Sequence, residues 1–150
     1  MNESASRRRF LLLFLRRAAV LGLGLPLFRA AHANGADSAS YDAALRSITG
    51  NRKPEASDAL VLDVPDSAEN GAIVPVTLES RVDRTTALHL LVARNPRPLA
   101  ASFDFLDGAV PSVSLRIKMN ESSEVVALAE AGGRFYWTRK RVRVAVGGCG

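Results

Sequence analysis

The chain has 150 residues, a single cysteine and a formal charge of +5, from 20 Lys+Arg against 15 Asp+Glu. The excess lies in the first 33 residues, where Arg7, Arg8, Arg9, Arg16, Arg17 and Arg29 meet only Glu3; taking six from 20 and one from 15 leaves 14 basic and 14 acidic residues in 34–150. That neutral remainder argues against a nucleic-acid binder, and one cysteine with one histidine beyond the leader, His89, argues against an internal disulfide or a zinc enzyme.

Residues 1–33 read as an export signal. A charged start is followed by an apolar stretch from Ala18 to Phe28 and by Ala31-His32-Ala33, a small-x-small site that predicts cleavage after Ala33. Ser6-Arg7-Arg8-Arg9-Phe10-Leu11 is similar to the twin-arginine motif, with Arg16-Arg17 as a second candidate pair. An uncharged stretch of about 11 residues falls short of the roughly 20 a membrane anchor needs, so the mature chain is expected to be soluble, in a bacterial periplasm.

The remaining 117 residues, 150 less the 33 of the leader, suit one domain over 34–146. A helix is predicted over 37–48, with Tyr41, Ala44, Leu45 and Ile48 on one face, Ser38 or Ser40 as cap and Gly50 as terminator. Short strands follow at 59–64 and 73–78, the second after an Asn70-Gly71 turn; Pro75 lacks a ladder donor and predicts an edge strand or a bulge. Apolar Leu88–Ala93 reads as a strand buried on both faces or at a sandwich centre, broken by Asn95-Pro96-Arg97-Pro98. Alternation marks strands at 100–106 and 113–119, and further strands are expected at 124–129, 134–138 and 141–146, with Gly132-Gly133 as a hairpin turn.

Seven or eight short strands without intervening helices predict an all-β, immunoglobulin-like antiparallel sandwich lacking the disulfide of antibody domains. Trp137 and the Phe103, Phe105, Phe135 group are the expected core aromatics. Phe135 and Trp137 are odd-numbered while Val142, Val144 and Val146 are even-numbered, so a bulge or break is predicted near Arg139-Lys140-Arg141 to bring both sets inside.

The chain closes on Val146-Gly147-Gly148-Cys149-Gly150. A structural cysteine is normally packed into a core, whereas this thiol follows two glycines that supply little stiffness and a small cross-section. Four extended residues span about 13 Å, enough for the thiol to enter another protein's cleft. A free thiol is mostly protonated at neutral pH, so activation falls to a partner enzyme. Residues 147–150 are therefore read as a swinging arm, and Cys149 as a sulfur acceptor. The alternative is an exported binding module that dimerises through an intermolecular Cys149 disulfide. A ubiquitin-like terminal Gly-Gly carrier fails, because Cys149 follows the glycine pair and the chain is exported.

Arg139, Lys140, Arg141 and Arg143 precede the arm. They either steer anionic substrates and acidic partners towards it or form a solvated strand face that discourages edge pairing. His89, inside an apolar run, reads as a core or surface histidine rather than a catalyst, and Asn120-Glu121-Ser122 as a chance glycosylation sequon.

Ala68-Glu69-Asn70-Gly71 followed by Val74-Pro75, then Asn95-Pro96-Arg97-Pro98, the strand over 124–130 and the terminal Gly-Gly-Cys-Gly together resemble the SoxY family of the bacterial sulfur-oxidising Sox system. The resemblance implies a non-catalytic, cofactor-free carrier that pairs with a SoxZ-type subunit, itself lacking a signal, and is loaded with sulfur substrate on Cys149. It further implies transient docking to a Sox cytochrome that couples thiosulfate to the thiol, a manganese hydrolase that releases sulfate to leave a persulfide, and a sulfur dehydrogenase. Tethering keeps the intermediates concentrated near each enzyme.

Overall fold

The computed structural model describes residues 34–145; the expected leader at 1–33 and the arm at 147–150 lie outside the described residues. Helix α1 (Asn34–Thr49) is followed by β1 (Glu55–Ala56), β2 (Leu60–Asp63), β3 (Ser67–Ala68), β4 (Val74–Ser80), β5 (Thr85–Val92), β6 (Leu99–Asp104), β7 (Ser112–Ile117), β8 (Ser123–Ala131) and β9 (Arg134–Val144). The strands form the expected immunoglobulin-like sandwich. One sheet runs β1-β9-β8-β5-β6, with β3 also on β9; the other runs β2-β4-β7.

The helix begins at Asn34, three residues before the expected start, so Ser38 and Ser40 lie inside it rather than capping it. Its end is as expected: Gly50 adopts φ +58° and its N–H reaches the Arg46 carbonyl at 2.9 Å. Tyr41, Ala44, Leu45 and Ile48 pack against Leu91, Val126, Leu128, Phe135 and Trp137 of the larger sheet.

That contact removes the parity conflict in β9. The larger sheet has two covered faces, one against α1 and one against the smaller sheet, so odd and even positions are both buried. Phe135 and Trp137 turn towards the helix, while Tyr136, Val142 and Val144 belong to the core between the sheets. The predicted bulge at Arg139-Lys140-Arg141 is absent: β9 is one strand, and its pairing with β8 runs unshifted from Ala131↔Arg134 to Ser123↔Val142. In β8, Val125, Ala127 and Ala129 serve the inter-sheet core and Val126 and Leu128 the helix side. In β5, Leu88, Leu90 and Val92 face one way and Leu91 the other, the double burial expected of that run.

Pro75 does not lie in an edge strand. It sits in β4, the middle strand of its sheet, in unshifted register with β7 (Pro75↔Arg116). The β2 ladder on the other side ends at Asp63↔Thr77, so at Pro75 the strand has one neighbour and the missing donor costs no bond. Bulges occur instead in β5, between Thr85 and Ala87 against β8 and between Leu90 and Leu91 against β6.

The core is mainly aliphatic. Phe135 is buried, Trp137 and Phe105 pack at its margins, and Phe103 is half-exposed. Two short strands were not anticipated: β1 and β3 both pair in parallel with β9, at Tyr136–Trp137 and at Arg143–Val144. Between them the chain crosses to the smaller sheet as β2. The Gly132-Gly133 hairpin is as expected, with φ +58° and +75°, both in the left-handed region that a two-residue turn requires.

Candidate functional site

The segment expected to carry the site follows Ala145, where the backbone is bonded on both edges of β9. On one edge of β9, β3 pairs Ala68 with Val144. The Arg143 N–H reaches the Asp66 carbonyl and the Ala145 N–H the Ala68 carbonyl, each at 2.9 Å. On the other edge the Val144 N–H donates to Ser122 Oγ at 2.9 Å. The backbone is thus held from both sides to within four residues of Cys149. Cys149 and Gly147, Gly148 and Gly150 lie outside the described residues.

Two turns wall this exit. In the first, Asn70 Oδ1 accepts the Ala72 N–H at 2.8 Å, as Asn-Gly turns do. Gly71 is required by close approach: a Cβ there would run into the Met119 carbonyl and into Val144 Cγ1. In the second, Asn95 spans two connections. Its Nδ2 donates to the Lys118 carbonyl at 2.7 Å and its Oδ1 accepts the Asn120 N–H at 3.0 Å. Beside it the Arg94 N–H donates to the buried Ser123 Oγ at 3.0 Å. Between the first turn and the stretch 118–122 that Asn95 holds lies a groove of about 800 Å³ reaching Ala145, with Glu69, Ala72, Lys118 and Glu121 along it. Segment 68–71 thus lies against Val144 and Ala145, and Asn95 of segment 95–98 reaches this end of the sandwich through its bonds to Lys118 and Asn120. Ser122 entered the sequence reading only as part of a sequon and Ser123 not at all, since a serine's capping of a neighbouring strand carries no local sequence signal.

The basic run divides. Arg139 stacks over Trp137, 5.2 Å from the ring centroid, and pairs with Glu124 at 3.1 Å. Lys140 reaches the Val64 carbonyl at 2.7 Å and Asp66 at 3.0 Å. Arg141 and Arg143 are exposed and join no ion pair among the described residues.

His89 is half-buried on the helix-side face. Its Nδ1 bonds Ser102 Oγ, and its buried Nε2 has no partner among the described residues. Burial lowers its pKa below the ordinary 6.5, opposed by Glu130 and Asp104. Among the described residues no group of His, Cys, Asp and Glu is arranged to hold a metal ion, and no helix is long and apolar enough to cross a membrane. A second cleft of about 470 Å³ opens between α1 and the sheet, lined by Tyr41, Leu45, Val126, Trp137 and Arg94.

Comparison with known proteins decides the family. The family described as sulfur oxidation protein SoxY matches residues 45–149, a span that includes both walls and the terminal cysteine. The chain belongs to the SoxY family. Among solved structures, this SoxY-family chain is similar to the sulfur carrier protein SoxY from Chlorobium limicola f thiosulfatophilum. That match has a TM-score of 0.66 and 33% identity over 72% of this chain and 98% of the other. It also matches a superoxide reductase (neelaredoxin) from Ignicoccus hospitalis, with a TM-score of 0.51 and 15% identity over 65% of this chain and 86% of that one, a likeness of fold alone. No curated protein matches it.

Proposed function

We propose that this chain is a sulfur-substrate carrier for thiosulfate oxidation, holding intermediates covalently on Cys149 while partner enzymes act on them. In the loading step the thiol sulfur bonds to the terminal sulfur of thiosulfate. One proton and two electrons leave, the electrons passing to a Sox cytochrome. Water then cleaves the outer sulfur–sulfur bond at a manganese hydrolase, releasing sulfate and leaving a persulfide for a sulfur dehydrogenase. The carrier supplies no acid, base or metal to these steps; it supplies an attachment atom and a tether.

The observation that carries the reading is the family match continuing through residue 149, onto a tail whose base is fastened up to Ala145. The related Chlorobium protein is itself a sulfur carrier. In this reading residues 34–146 are the carrier domain, and Gly147, Gly148 and Gly150 give the arm its freedom. Residues 1–33 direct export by the twin-arginine route to the periplasm, together with a SoxZ-type subunit that has no signal of its own.

Intact-mass measurement of the purified chain, before and after thiosulfate and host extract, tests this. The expected result is a thiosulfate adduct confined to Cys149 and absent from Cys149→Ser. An unmodified wild-type chain under conditions where the extract oxidises thiosulfate would refute it.

A further inference from the structure

Building on the carrier reading, we propose that the groove at Ala145 is the surface on which the enzymes acting on Cys149 dock, with Ile73 as its apolar contact. The tether limits where such an enzyme can sit. Cys149 lies four residues beyond Ala145, so the covalent chain sets a limit of about 13 Å on its distance from that point. An enzyme that takes the thiol into a recessed pocket must bring its rim against the surface around that point.

The far end of the sandwich is beyond this reach. Eight-residue β5 runs from that end to this one, about 26 Å at strand spacing. The exposed Leu106 and Val110 sit there, on the connection leading to Pro111, whose carbonyl binds the Ser80 N–H at the end of β4 away from Val74.

The near end has the make-up of a transient docking surface. Ile73, 58% exposed, follows Ala72 at the rim of the groove. Around it Glu69 and Lys118 are exposed charges of opposite sign, and Glu121 is exposed and paired with Arg94 at 3.3 Å. An apolar contact inside a polar rim is the usual anatomy of such an interface. The surface is also pre-formed: Gly71 packs on Met119, Asn95 ties 118 to 120, and Ser122 holds Val144. Little ordering is then lost on docking, which suits a carrier that must bind and release several enzymes in turn. The partner that fits is an enzyme with a recessed anion-accepting pocket, an apolar rim contact and charges opposite to Glu69 and Lys118.

The test uses the chain purified from its host with its co-purifying subunit. Wild type, Ile73→Glu, Lys118→Glu and the remote control Leu106→Glu are each given thiosulfate and extract from a host lacking the carrier. Adduct formation is followed by intact mass, and intrinsic thiol access by the alkylation rate with iodoacetamide. Roughly tenfold slower loading of the Ile73 and Lys118 variants is expected, with alkylation unchanged in all and loading unchanged in Leu106→Glu. Wild-type loading rates in both near-end variants, equal slowing in Leu106→Glu, or slowed alkylation would overturn the docking surface while leaving the carrier reading intact. Failure of wild type itself to load would instead remove the carrier reading and this proposal with it.

Discussion

The amide of Asn95 holds the Lys118 carbonyl at 2.7 Å while its oxygen holds the Asn120 N–H at 3.0 Å. One side chain thus does the work of a missing strand, joining the β5–β6 connection to the β7–β8 connection at the end from which the tail departs. Asn95→Ala removes both bonds and should destabilise the domain by about 1–2 kcal/mol. Asn95→Asp keeps the acceptor but sets a carboxylate against the Lys118 carbonyl, so it should not restore stability. Urea unfolding at constant m-value measures both.

Gly71→Ala tests close approach rather than backbone freedom. The atoms that the added methyl would meet are a backbone carbonyl, Met119 O, and the branched Val144 side chain, neither of which is a flexible end that can swing away. A loss of about 1–3 kcal/mol is expected. The strain falls on Val144, so hydrogen exchange at the Val144 and Ala145 amides should accelerate more than exchange at β5.

These two residues mark what a linear reading can and cannot reach. Turn chemistry at Asn70-Gly71, Gly132-Gly133 and Gly50 is local, and each turned out as the sequence implied. Alternation located β6 and β7, and the double burial of β5 followed from its continuous apolar run. What failed depended on neighbours distant in sequence. The β9 bulge was inferred on the assumption that one face of the sheet is solvated; α1 covers that face, so Phe135 and Val142 are both buried without any change of register. Pro75 misled similarly, since the extent of β2 decides whether a donor is missed there. At the candidate site the segments 68–71 and 95–98 were legible, and the contacts that place them were not. The bonds that set Ala68 against Val144 and Ala145 and tie Asn95 to Lys118 and Asn120 run largely to backbone carbonyls and amides, which leave no pattern in composition.

His89 gives the fold a pH dependence of definite sign. Burial lowers its folded-state pKa below 6.5, so the unfolded chain binds the proton more readily than the folded one. Its contribution to stability is complete above 6.5 and is lost as pH falls through the depressed folded value. Thermal or urea stability should decline on acidification from neutrality, and His89→Gln should flatten that decline. An unaltered slope in the variant would assign it to the carboxylates instead.

Arg141 and Arg143 offer a separable electrostatic test, because the structure divides the basic run into occupied and unoccupied members. Arg139 and Lys140 are committed to Glu124 and to Asp66 with Val64, and their removal should act through stability. Arg141 and Arg143 are exposed, make no ion pair among the described residues and lie about 13 and 7 Å along the strand from Ala145, so their field reaches past Ala145 at low ionic strength, where the Debye length is about 30 Å. If they attract anionic sulfur substrates or acidic partner surfaces, Arg141→Gln with Arg143→Gln should leave the unfolding midpoint within about 0.5 kcal/mol of wild type. The same pair should slow thiosulfate loading of Cys149 several-fold at low ionic strength. The difference should vanish in high salt, where screening removes the field of the native arginines as well. Loading that is equal at every ionic strength would make the two residues a solvated face and nothing more.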